Sequence, residues 1–119
     1  MKFLHLKDND VFLIDYSGKI SFYEGISNMI LIEKEIRKIS LNTDCLKLIF
    51  DLRNTVWENM QTHNALSAIA RKSFDPYNFN FVIYIAILNN EYNAATFENE
   101  HWFIEKEDAI KWLAQKTQF

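Results

Sequence analysis

Residues Leu46-Lys47-Leu48-Ile49-Phe50-Asp51-Leu52-Arg53 decide the fold. The run is apolar apart from Lys47, stops on an acid and a base, and gives way to a polar turn. It reads as a buried strand over 45–52. A second such run lies downstream at 79–88. There Phe79, Phe81, Ile83, Ile85 and Ile87 fall on one side, and Val82, Tyr84, Ala86 and Leu88 on the other. Apolar residues on both sides of a strand predict a central position covered from both directions.

Upstream, 3–6 and 11–16 are strand candidates separated by the turn-like Lys7-Asp8-Asn9-Asp10, a spacing that suits an antiparallel hairpin. Ser17-Gly18 ends the second of them. Ser21 opens the first helix, with Glu24 three residues on completing a capping box. Phe22, Ile26, Met29, Ile32, Ile36 and Ile39 recur at helical spacing on one face, and Glu33 pairs with Arg37 outside. Asn42-Thr43-Asp44 stops this helix. A second helix runs to about Lys72, and two starts fit: a capping box of Thr55 with Glu58, or Thr62. Asp75-Pro76-Tyr77-Asn78 breaks it. Segment 91–97 suits one or two helical turns, and 101–104 a short last strand. Glu105, Glu107 and Asp108 crowd the first turn of a final helix, where the dipole favours acids, and Ala109, Trp112 and Leu113 form its buried side. This order predicts a single α/β domain over 1–119, a five-stranded, mixed, mostly parallel sheet with three main helices.

Composition narrows the function. With 119 residues, 49% of them hydrophobic, the chain can bury a core without metals or disulfides. The 13 Lys+Arg against 16 Asp+Glu give no positive field for nucleic acid, and the basic residues are scattered among acids. The single Cys45 opens a strand and reads as a buried thiol in a reducing cytosol. Met1 to Asp10 holds no uninterrupted apolar stretch of the signal-peptide kind, and 81–88 is far short of the ~20 residues that span a bilayer. A cytoplasmic protein is expected. Ten Phe, five Tyr and three Trp exceed what so small a core needs, so some aromatics are available for an interface or pocket.

Three stretches carry a family resemblance. Tyr16-Ser17-Gly18-Lys19-Ile20-Ser21 resembles the strand, glycine turn and capped first helix of the STAS-like group, whose founding members are bacterial anti-sigma-factor antagonists. Ile49-Phe50-Asp51-Leu52-Arg53 is similar to that group's third strand, and 103–113 to its final strand and helix. The resemblance implies a small stand-alone, non-catalytic regulatory or protein-interaction domain. Antagonists proper carry an Asp-Ser pair at the start of the second helix, where a kinase phosphorylates the serine. Here 54–62 contains no serine, leaving Thr55 and Thr62 as the hydroxyls for any phosphorylation. Some STAS-like proteins are grouped with lipid-transfer domains, so an aromatic-lined pocket for a small molecule or acyl chain is the alternative.

Ligands of open α/β sheets gather beyond the carboxyl ends of the strands. Those ends hold Arg53 and Asn54 after one strand and Asn89 and Asn90 after the next, with Trp57 and His63 close behind. An arginine, three amides, an indole and an imidazole form the candidate ligand- or partner-binding set. The bland account has Arg53 paired with a nearby acid, the asparagines capping, and Trp57 covering the core. His63 falls on a stripe with Val56, Met60 and Ala70, at the margin of a buried face. Glu100, His101 and Glu105 make a loose oxygen–nitrogen cluster without metal-site spacing. No Gly-x-Ser-x-Gly, phosphate loop or activated cysteine is present, so no catalytic residue, metal or cofactor is assigned. Gly25, inside the first helix, marks a close approach of a strand or partner. If helices cover mainly one sheet face, Tyr84 and Leu88 face either a symmetric partner chain, making a homodimer, or the terminal helix and the loop after Pro76.

Overall fold

In the computed structural model, which describes residues 1–39, 41, 45–73, 82–91 and 99–116, strands β1 (Lys2–Leu6) and β2 (Val11–Asp15) form the expected antiparallel hairpin. Its turn closes through Asp10, whose φ of 51° lies in the left-handed region that aspartate tolerates. Strand β4 (Cys45–Asp51) lies parallel to β2 on one side and to β6 (Val82–Leu88) on the other. Strand β7 (Glu100–Phe103) adds parallel to β6, giving the order β1-β2-β4-β6-β7. This is the predicted five-stranded mixed sheet.

Helix α1 (Phe22–Ile39) begins as expected, with the Glu24 backbone N–H donating to Ser21 Oγ at 3.1 Å. Its Arg37 and Glu33 pair at 3.0 Å. Helix α2 (Met60–Ser73) packs beside it, and α3 (Lys106–Ala114) lies on the opposite sheet face. The alternation along β6 sorts two cores. Ile83 and Ile85 join Ile14, Leu46, Leu48, Ile32, Ile36 and Leu66 beneath α1 and α2. Ala86 and Leu88 join Val11, Leu13, Ile49, Ala109 and Leu113 beneath α3. Full burial of Leu113 alone is worth roughly 2 kcal/mol. Leu88 is therefore covered within the chain, and Tyr84 meets Trp112 edge-on at 6.3 Å. On this face the terminal helix supplies the cover over Leu88, and the loop after Pro76 lies outside the described residues.

Two departures concern the corner after β4. Ser17-Gly18 ends β2 as expected, and at a φ of 105° Gly18 then turns the chain into an additional short strand, β3 (Gly18–Ile20). This pairs in parallel with β5 (Thr55–Trp57), making a two-stranded ribbon beside the main sheet. Residues 55–57 are thus strand, and neither Thr55 nor Thr62 starts the second helix. Asn59 does, its Oδ1 accepting the Thr62 backbone N–H at 2.7 Å. The capping-box spacing of Thr55 and Glu58 was overridden because pairing with β3 satisfies the same backbone groups. The expected stops at 42–44 and 75–78, the strand residues 79–81 and most of the 91–97 segment lie outside the described residues. Among the described residues, no helix is long and apolar enough to cross a membrane.

Candidate functional site

The six predicted site residues fall into two sets at the carboxyl end of the parallel strands. The first forms around Arg53. As β4 ends, its last residue, Asp51, is gripped by the arginine two positions on: Nε donates to Oδ1 at 3.0 Å and Nη2 to Oδ2 at 2.9 Å. The Arg53 backbone N–H adds a third bond to Oδ1 at 3.2 Å. These bonds to the ionised form hold the Asp51 carboxyl below the usual aspartate range. Asn90, entering from the end of β6, donates its side-chain amide to the Arg53 carbonyl at 2.7 Å. Asn89 accepts the Asn90 backbone N–H at 2.8 Å, and its own backbone N–H reaches the Phe103 carbonyl at 3.0 Å. The Asn54 carbonyl accepts from Gly18 at 2.9 Å, tying the turn to β3. Arg53, Asn54, Asn89 and Asn90 are therefore neighbours, as the strand ends required. Their best recognition group, the guanidinium fork, is spent on Asp51.

The second set is Trp57 and His63, whose rings stack with centroids 4.9 Å apart and 16° between planes. Trp57 packs against the α1/α2 core and lies tilted against Tyr16 at 6.2 Å. Burial lowers the His63 pKa below the ordinary histidine value, favouring the neutral ring. Among the described residues, no carboxylate hydrogen-bonds to it. Thr62 is buried, and the Thr55 hydroxyl donates to the Tyr16 carbonyl.

What the sequence missed is the surface between these sets. Val56 and Met60, assigned to a buried helical stripe with His63, are exposed, because 55–57 is strand and Val56 points away from the core on which Trp57 packs. Glu58 links this corner to α1: its backbone N–H donates to the Ile20 carbonyl at 2.9 Å, and its Oε2 accepts the Phe22 N–H at 3.2 Å, at the positive end of the helix. Phe22, expected on the buried stripe, is exposed beside it. Asn59, three residues before Thr62, was the signal that would have located the α2 start and so freed Val56 and Met60 for the surface.

Elsewhere, the loose cluster of Glu100, His101 and Glu105 is divided by strand geometry. Glu100, opposite Ile85, lies on the α2 side, where Arg71 Nε is 4.0 Å from its carboxylate. His101, opposite Ala86, lies on the α3 side, stacked on Trp112 at 4.6 Å. A cleft of about 370 Å³ sits at the other end of the sheet, lined by His5, Asp10, Phe12, Glu35, Lys38 and Ile39.

An uncharacterized protein of the DUF3478 family from Shewanella loihica PV-4, described as having a SpoIIAA-like fold, superposes with a TM-score of 0.60. The match covers 94% of this chain and 90% of that one, at 16% sequence identity. The fold is SpoIIAA-like. The STAS-like resemblance carried by Ile49 to Arg53 and by the last helix is thereby supported at the level of fold. No protein-family model and no curated protein matches the chain. Within the SpoIIAA-like fold, the corner at β5 and the start of α2 is built here from Asn59, Glu58 and the Trp57–His63 stack.

Proposed function

We propose that this chain is a non-catalytic regulatory module of the bacterial cytoplasm that binds another protein through the corner formed by β5, the start of α2 and the start of α1. The single observation that carries this reading is the exposure of Val56 and Met60, 59% and 69% accessible, beside exposed Phe22. Large apolar side chains grouped at one corner are unfavourable in water and favour a partner surface. The groups around them are locked rather than reactive: Arg53 holds Asp51, His63 stacks on Trp57, and Asn59 caps α2. Rigid polar groups framing an apolar patch suit protein recognition better than proton transfer. The segment 53–62 thus supplies the specificity, with Arg53, Asn54, Asn89 and Asn90 forming a polar rim. Recognition does not rest on phosphorylation, since a phosphate on Thr55 or Thr62 would have to open this corner first. The lone Cys45 suits the cytoplasmic setting.

The test is comparative affinity capture from the native host's extract with the wild-type chain and with Val56→Asp and Met60→Asp. Both positions face water, so the variants should keep the wild-type circular dichroism and melting temperature. A specific protein retained by wild type and lost by both folded variants is the expected result. An identical set of captured proteins would overturn the assignment of this corner. Native mass spectrometry on the same wild-type preparation would detect a bound small molecule, the outcome that favours a ligand-binding domain instead.

A further inference from the structure

Among the described residues, helix α1 uses only one of its faces in the fold. Ile32 and Ile36 are buried in the core, while Tyr23, Ile30 and Leu31 are 82%, 52% and 51% accessible. At 100° per residue, Tyr23, Ser27, Ile30 and Lys34 fall within a narrow outward stripe, with Leu31 and Lys38 along one side of it. All six are exposed. This stripe is separate from the corner of the proposed function in composition, being apolar at its middle, aromatic at its amino end and basic at its carboxyl end.

We propose that the outer face of α1 docks the same face of a second copy of this chain, antiparallel, about a two-fold axis passing between Ile30 and Leu31. The charge order of the helix argues for this occupant. Tyr23 lies seven residues before Ile30, and Lys38 seven after Leu31, so the antiparallel arrangement sets each Lys38 over the Tyr23 ring of the second copy. The same operation brings Ser27 opposite Lys34 and Ile30 opposite Leu31. It also brings Glu24, in the acidic first turn, to the same edge as Lys38, in the basic last turn, of the second copy. A parallel pairing would instead place Lys34 on Lys34 and Lys38 on Lys38, which repel. The two-fold thus makes the face self-complementary, the requirement of an isologous dimer. One helix per copy buries little area, so the dimer is weak and forms with rising concentration.

Sedimentation equilibrium on the full chain, from low micromolar to millimolar concentration, tests this. The wild type should pass from monomer to dimer. Leu31→Glu, Tyr23→Lys and Lys38→Glu should each raise the dissociation constant roughly tenfold or more. The double variant Tyr23→Lys/Lys38→Glu should restore dimerisation by exchanging the cation–π contact for an ion pair. Within one helix these positions are about 22 Å apart, so rescue can only act between copies. Circular dichroism and melting temperature confirm that each variant folds, and Val56→Asp should dimerise like wild type, separating this interface from the proposed partner corner. A wild type monomeric throughout, a dimer indifferent to Leu31→Glu, or a double variant that fails to recover would each overturn the proposal. So would a monomer whose Leu31→Glu form loses a different captured protein, which would give this face to another occupant.

Discussion

Leu66 of α2 rests directly on Gly25 of α1. A Cβ added at Gly25 would stand 2.3 Å from Leu66 Cδ1 and 2.7 Å from Cδ2, inside any allowed contact. The glycine expected to mark a close approach does so, and the approaching element is a helix of the same chain. The Tyr16 hydroxyl reaches the Gly25 carbonyl at 3.5 Å from the sheet side, so α1 is held close on two flanks.

Gly25→Ala should therefore destabilise the protein although alanine is the better helix former. The propensity gain is about 1 kcal/mol, whereas overpacking a buried contact costs about 1–3 kcal/mol. Leu66 is fully enclosed and cannot swing aside freely. We expect a net loss near 1 kcal/mol in urea unfolding. In a Leu66→Ala background the same substitution should become stabilising, because the clash is gone and only the helix gain remains.

Asn59 is the second point of leverage. Replacing it with alanine removes the acceptor for the Thr62 N–H and should cost about 1 kcal/mol, with Asn59→Asp close to neutral. Thr55→Val should leave the helix content measured by circular dichroism unchanged, since Thr55 sits in β5 and not in a helical first turn.

The Asp51–Arg53 fork gives the protein an acid-side dependence. Because folding lowers the Asp51 pKa below its ordinary 3.8, the stabilisation it supplies is complete above that value and is lost as pH falls through the folded value. Asp51→Asn should cost about 1–2 kcal/mol at neutral pH and flatten the acid limb of the stability profile. Arg53→Gln should bring the Asp51 carboxyl back toward its ordinary value in a carbon-detected NMR titration.

Glu100 has the opposite sign. Burial raises its pKa above the ordinary 4.5, only partly offset by Arg71 at 4.0 Å and by the Trp102 indole, and among the described residues its Oε2 has no hydrogen-bond partner of normal geometry. The folded state then prefers the protonated acid: the contribution is full below 4.5 and falls away as pH rises through the folded value. Glu100→Gln should raise the melting temperature at neutral pH by about 2–4 °C and have little effect at pH near 4. Equal effects at both pH values would show that the side chain is not desolvated.

Most of the architecture was legible in the chain. The period of the apolar residues separated strands from helices. The double-sided pattern of 82–88 placed β6 inside the sheet, where it lies between β4 and β7, and Ser21 with Glu24 located the start of α1. These are local properties: each follows from which neighbours along the chain share a face or satisfy a backbone group.

The corner that carries the candidate site was less legible. Residues 55–62 contain a capping box of Thr55 with Glu58, a later candidate cap at Thr62 and an apolar set compatible with a helical stripe, and these local patterns pointed to a helix. Only the tertiary structure brings Gly18–Ile20 alongside Thr55–Trp57, and a ribbon formed across 37 residues of sequence satisfies those backbone groups instead. That pairing turns Val56 outward, moves the helix start to Asn59, and stacks Trp57 on His63. In the same way, the sequence marked Gly25 as a place of close approach, while the identity of Leu66 as the approaching side chain required two helices to be packed. Periodicity and capping are written in neighbouring residues; exposure, pairing and pKa depend on groups the chain meets only once folded.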